Sequence, residues 1–129
     1  MKIGIGIGEI GNEPATVDDI VAQAERAERE GFASVWIANI FGMDAMTAAA
    51  LAGRATSRIE LGTAVVPTYY RHPFGMAQQA LSTQAACRNR FVLGIGLSHR
   101  IVIETMMGLS WARSYTHMKE HLAVVATLI

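Results

Sequence analysis

The chain opens with bulky and bare positions in alternation: Ile3, Ile5 and Ile7 fall on one face of an extended segment, Gly4, Gly6 and Gly8 on the other. Lys2–Gly8 therefore reads as a strand, and β-branched runs at Ser34–Ala38, Ile59–Val65 and Phe91–Gly96 read as three more. Between them the period becomes that of a helix. Ile20, Ala24 and Ala27 line one face of a segment from Val17 to Glu30, with Thr16 placed to cap it, Asp19 three residues on, and Gly31 to stop it. Asp44 opens an alanine-rich helix to about Ala55. Pro73 opens another that ends near Cys87, where Asn89 tolerates a left-handed turn. Tyr115, Met118, Leu122, Val125 and Ile129 mark the apolar face of a last helix.

Strands and helices alternating without a low-complexity linker predict parallel βαβ units and an α/β fold. In a parallel sheet every carboxyl end points the same way. The residues that follow the strands, Glu9, Asn39, Val66-Pro67-Thr68 and Ser98-His99-Arg100, are therefore expected to gather at one end, where α/β proteins place their ligands. Two of these ends stand out, Arg58-Ile-Glu-Leu-Gly-Thr-Ala-Val-Val-Pro67 and Arg90-Phe-Val-Leu-Gly-Ile-Gly-Leu-Ser-His99. In each a basic residue leads into a β-branched run that closes on small residues, leaving backbone that a ligand can approach.

Composition narrows the function. Half the residues are hydrophobic (51%) and 17% are charged, as in a folded globular domain, and the 129 residues suffice for one core. Eleven basic and eleven acidic residues cancel, and no Lys/Arg cluster with interleaved aromatics occurs. No nucleic-acid or membrane partner is expected, which leaves small-molecule chemistry. A lone Cys87 has no partner for an internal disulfide, and Met1 leads directly into the first strand, so a cytoplasmic protein is expected.

Several motifs have plain readings. Gly6-Ile-Gly-Glu-Ile-Gly11 spells the dinucleotide fingerprint, but Asn12-Glu13-Pro14 follows it where a helix should begin, and Asn39 stands where an acidic residue should end the second strand. The glycines read better as a bare strand face that leaves room beside the backbone. His117-Met-Lys-Glu-His121 fits H-x-x-E-H, yet no third ligand follows it, so the histidines read as helix-face residues and no metal site is expected. Cys87 reads as a small helix-end residue, His72 as a cap before Pro73, and Trp36 and Trp111 as packing. His99 is different: it follows a strand and a Gly-x-Gly, and imidazole is the side chain suited to proton exchange near neutrality.

At Gly31-Phe-Ala-Ser-Val-Trp-Ile-Ala38, Ala55–Pro67, Arg71-His-Pro73, Arg90–Arg100 and the tail Met107-Gly-Leu-Ser…Arg113…His117-Met-Lys-Glu120, the chain resembles the luciferase-like flavin and deazaflavin oxidoreductases, within them the coenzyme F420-dependent branch. The resemblance implies a (β/α)8 TIM barrel of the bacterial luciferase-like type, with F420 or FMN at the carboxyl ends of its strands. It also implies a non-proline cis peptide at Ala64–Val65 whose bulge presses on the deazaflavin ring. Many relatives carry Asp-His after the second strand, the His as proton donor; here Asn39-Ile40 stands there, and Ile has no proton to give.

The expected site is then catalytic His99 with Asn39, Thr63, Ala64, Val65, Leu97 and Ser98 around the cofactor. The expected activity is hydride transfer between F420 and a small organic substrate. Its alternatives are an FMN-dependent monooxygenase and a non-catalytic or degenerate barrel fragment. A complete barrel takes about 250 residues, so four βα units are expected to be its N-terminal half. Unpaired edges at Lys2–Gly8 and Phe91–Gly96 would drive the chain to form homo-oligomers or aggregates.

Overall fold

The computed structural model describes residues 1–9 and 14–129. Gly11 of the glycine motif lies outside them. Four parallel strands, β1 (Gly4–Ile7), β2 (Ser34–Ile37), β3 (Glu60–Thr63) and β5 (Phe91–Val92), form a sheet in chain order. A second, two-stranded parallel ladder pairs β4 (Val66–Pro67) with β6 (Ile95–Gly96). The helices α1 (Val17–Arg29), α2 (Ala45–Ala55), α3 (Pro73–Ala86) and α4 (Ser114–Leu128) each pack on the next. Among the described residues no helix is long and apolar enough to cross a membrane.

Of the two runs read as single strands, Phe91–Gly96 is interrupted after Val92, and Ile59–Val65 forms a strand only over Glu60–Thr63, with β4 beginning just beyond it. The Ala64–Val65 peptide is cis, as the resemblance implied. Beside it, Thr63 Oγ1 donates to the Gly94 carbonyl at 2.8 Å and accepts from the Gly94 N–H at 2.9 Å, replacing the regular ladder with a side-chain bridge. Only glycine fits at 94, because a Cβ would collide with the Thr63 carbonyl.

One face of the sheet, carrying Ile7, Val35, Ile37 and Leu61, is buried in a single core with Ile20, Ala24 and the alanines of α2. The opposite face explains the bare glycines. Gly6, Trp36 and Gly62 lie in register across three strands, and a Cβ at Gly62 would run into the Trp36 ring. The indole, its Nε1 donating to Ser34 Oγ at 3.0 Å, lies across the sheet in that space.

Local signals place the helices as expected. Thr16 caps α1 in a reciprocal box with Asp19, Asp44 Oδ1 accepts from the Thr47 N–H at 2.8 Å to cap α2, and His72 Nδ1 accepts from Phe74 N–H ahead of Pro73. Arg88 and Asn89 both take positive φ after α3. The expected face of α4 holds at Val125 and in part at Met118, and fails at Tyr115, Leu122 and Ile129. Tyr115 is 79% and Leu122 46% exposed, whereas His121 and Val125 are the buried residues of the helix. The helix is rotated from the apolar reading because polar partners hold it: His117 Nε2 lies 3.0 Å from Thr68 Oγ1, and His121 Nε2 lies 3.3 Å from Met76 Sδ. His117 also stacks on Tyr69, which stacks in turn on Trp111. Also unanticipated is a π-helical turn at Val102–Met106.

At the amino end of the sheet, Glu28 ties α1 to the start of β3. Burial pushes its carboxyl up, but donations from the Ile59, Arg58 and Ser57 N–H groups and the Ser57 hydroxyl outweigh this and hold it at about 2. A carboxylate depressed below its ordinary value of 4.5 stabilises the fold fully above that value, and the contribution is lost as pH falls towards 2. Glu28→Gln is expected to cost about 1–2 kcal/mol at pH 7 and to flatten the stability change across this acid window. Thermal melts from pH 7 to pH 2 check this; parallel curves for the two proteins would remove the assigned role.

Candidate active site

At the carboxyl end of the strands lies a cavity of about 390 Å³, within the usual range for small-molecule sites. Ala38 and Asn39 reach it from the end of β2, Ala64 and Val65 from the break between β3 and β4, and Ser98 and His99 from beyond β6. Pro67, Tyr70, Val102 and Met107 complete much of the wall. Parallel pairing produces this convergence, since Ile7, Ile37 and Thr63 are register partners at the same end of the sheet.

Five of the expected site residues therefore line one cavity: Asn39, Ala64, Val65, Ser98 and His99. Thr63 and Leu97 do not. Thr63 is 1% exposed and its hydroxyl is committed to Gly94. Ser98 adopts φ 65°, a left-handed conformation uncommon for a residue with a side chain and one that concentrates at functional sites. Asn39 is a wall residue with its amide engaged: Oδ1 accepts from the Ala45 N–H at 3.0 Å and Nδ2 donates to Tyr70 Oη at 2.9 Å.

Tyr70 and the groups behind it are what the sequence reading missed. The Arg71 guanidinium lies 5.6 Å from the Tyr70 ring centroid, within cation–π reach. Arg71 is itself bonded to Asp44 and Gln79, and Gln79 Nε2 donates to Asp44 Oδ1 at 2.6 Å. Burial pushes the Asp44 carboxyl up, but bonds from Thr47 and the Arg71 charge bring it below the usual carboxylate range. The cap of α2 thus doubles as the anchor of the loop that carries Tyr70. A weak signal existed in the position of Tyr69-Tyr70-Arg71, just past a strand end and just before a helix-starting proline.

A second cleft, about 510 Å³, opens at the other end of the sheet between Lys2, Glu28, Arg58 and Arg90. Two of its charges are used structurally: Glu28 caps the start of β3, and Arg90 donates to carbonyls at the end of α2. The carboxyl-end cavity, apolar with a few directed polar groups, is the better ligand site. Cys87, fully buried with its Sγ 3.3 Å from the Ala49 carbonyl, has its thiol pushed up by burial against the opposing effect of Arg90, and stands apart from that cavity. Among the described residues no cluster of three or more His, Cys, Asp or Glu side chains could hold a metal ion.

Comparison with known proteins agrees with this architecture. Residues 2–129 match the luciferase-like monooxygenase family. A Mycobacterium tuberculosis protein that carries the provisional name coenzyme F420-dependent oxidoreductase is 33% identical over 126 residues, covering 97% of this chain and 35% of that protein. The chain thus spans about a third of the length of that relative, 35%. Among solved structures, the coenzyme F420-dependent tetrahydromethanopterin reductase of Methanopyrus kandleri superposes with a TM-score of 0.73 at 25% identity, over 85% of this chain and 30% of that one. The FMN complex of the oxygenating constituent of 3,6-diketocamphane monooxygenase from Pseudomonas putida superposes with a TM-score of 0.83 at 17% identity, over 97% and 38%, and so shares the fold. With its parallel sheet, sequential helices and a cavity at the carboxyl strand ends all accounted for by that kinship, the chain belongs to the luciferase-like monooxygenase family.

Proposed function

We propose that this chain carries the cofactor face of an F420-dependent oxidoreductase. The observation that supports it most is the cavity in which Ala64, Val65, Ser98 and His99 meet, in a chain akin to proteins named for F420. The wall fits a flat, largely apolar ring system. Ala64 is small and exposed to the cavity, and Ala38, Val65 and Pro67 add apolar surface with few polar groups to satisfy. The deazaflavin, when bound, supplies the hydride chemistry.

The chain's own residues orient and exclude water. Ala64 and Val65 set the depth of the ring's seat. Gly96 keeps that wall in place, since a Cβ there would press to 2.5 Å from Val65 Cγ2. His99, exposed at the cavity with its carbonyl accepting from the Ile103 N–H at 3.0 Å, is the wall residue suited to exchange a proton with a substrate bound there. The same reading makes the four βα units the N-terminal half of a barrel, with β1 and β5 as edge strands. Ile3 at 52% and Ile5 at 38% exposed, on or beside β1, would favour self-association of the chain by itself.

Separate titrations with F420 and FMN test the proposal. Preference for F420 supports it, preference for FMN favours a luciferase-like monooxygenase, and binding of neither overturns a cofactor role for this chain. In an active form with a complete barrel, His99→Asn is expected to lower kcat with F420 bound by about 10²-fold or more and to leave F420 affinity within about twofold. Equal losses in affinity with kcat intact would make His99 a binding residue.

A further inference from the structure

The cavity wall contains a hydroxyl whose direction the fold determines. The Ala45 N–H has only a proton to offer, and it reaches Asn39 Oδ1 at 3.0 Å, so the Asn39 amide is fixed with its NH2 group towards Tyr70. Asn39 Nδ2 then donates to Tyr70 Oη at 2.9 Å. A phenol oxygen that accepts from an amide keeps its own proton for another partner, and among the described residues no acceptor receives it. The Tyr70 ring is meanwhile held against Arg71, which Asp44 and Gln79 bind in turn. Tyr70 is 40% exposed and lines the same cavity as Ala64, Val65 and His99.

We propose that Tyr70 is a preoriented hydrogen-bond donor for a carbonyl oxygen of the molecule bound in this cavity. The inference rests on the cavity being the ligand site argued above, and it specifies the ligand's chemistry: an sp2 oxygen acceptor presented towards the β4–α3 loop. A donor whose direction is set in advance by Asn39 and whose ring is seated on Arg71 loses little freedom when the ligand arrives, so the bond contributes to affinity and fixes which edge of the ligand faces the loop. Two molecules offer such an oxygen, the pyrimidine-dione edge of F420 or FMN and a carbonyl substrate.

Two substitutions probe the donor differently. Tyr70→Phe removes the hydroxyl and keeps the ring. Asn39→Asp keeps the hydroxyl but turns its partner into an acceptor, drawing the phenol proton away from the cavity while still receiving the Ala45 N–H. Each variant, checked for folding by circular dichroism, is titrated with F420, FMN and carbonyl-13C cyclohexanone. The ketone's C=O stretch is followed by infrared difference spectroscopy. If Tyr70 reads the cofactor, both variants weaken F420 or FMN binding about five- to tenfold. If it reads the substrate, cofactor binding is unchanged, while the downshifted C=O stretch of bound ketone seen with the unsubstituted protein disappears in both variants. Changes below about twofold in every arm, or an effect of Tyr70→Phe that Asn39→Asp does not reproduce, overturn the assignment. Failure of the unsubstituted chain to bind F420 or FMN overturns the proposed function instead, and the ketone arm then decides Tyr70 by itself; a ketone that does not bind either overturns both.

Discussion

Ala64→Phe is expected to reduce F420 or FMN binding by about 100-fold or more, a loss of roughly 2.7 kcal/mol, with the fold intact. Ala64 is exposed and its side chain adjoins the cavity rather than the core, so added bulk has space to enter there. That space is the seat proposed for the ring, and a cavity of about 390 Å³ has little room for both a phenyl group and a tricyclic cofactor. Ala64→Gly, which leaves the seat open, should bind within about threefold of the original. Fluorescence titration measures both, with a thermal melt as the check on folding. Undiminished cofactor binding by Ala64→Phe would place the ring elsewhere and remove the structural support for the proposed function.

The largest expected loss of stability comes from Arg90→Ala. The guanidinium spans the end of α2 and the start of β3: Nη2 donates to the Gly53 and Thr56 carbonyls at 2.7 and 3.0 Å, and Nη1 to the Ile59 carbonyl at 2.6 Å and to Thr56 Oγ1 at 3.2 Å. Two of these acceptors belong to the carbonyls that every helix leaves unpaired at its C-terminus. Truncation strands them beside the core, and charged hydrogen bonds of this kind contribute about 1.5–3 kcal/mol apiece, less than additively. Arg90 Nε is buried without an acceptor, so part of the gain is already offset and a net cost of about 3 kcal/mol is expected. For a domain stable by about 5–15 kcal/mol this is a large fraction. Lysine, one point charge in place of a planar fork, should restore less than half of it. Urea denaturation gives both values; a loss under about 1 kcal/mol for Arg90→Ala would show that water replaces the guanidinium at no great cost.

What the sequence determined by itself is what neighbouring residues determine. Thr16 with Asp19, Asp44 with Thr47, and His72 with Pro73 settle where α1, α2 and α3 begin, because each cap bonds within one turn of its own helix. The β-branched runs placed the strands, and their parallel order followed from the helices between them, so the end of the sheet that bears Ala64, Ser98 and His99 was legible before any coordinates. Tertiary structure decided the rest, through contacts that local periodicity does not encode. Thr63 bridges to Gly94 across 31 residues, where the Ile59–Val65 run stops short as a strand and the Phe91–Gly96 run divides in two. The polar holds of His117 on Thr68 and His121 on Met76 turn α4 away from its most apolar face. Most consequential for the site, Asn39 meets Tyr70 at a separation of 31 residues and Arg71 meets Asp44 at 27. The spacing along the chain carries no trace of either pairing; they exist because parallel strands bring the loops after β2 and β4 to the same end, where an amide, a phenol and a guanidinium satisfy one another at the edge of the cavity.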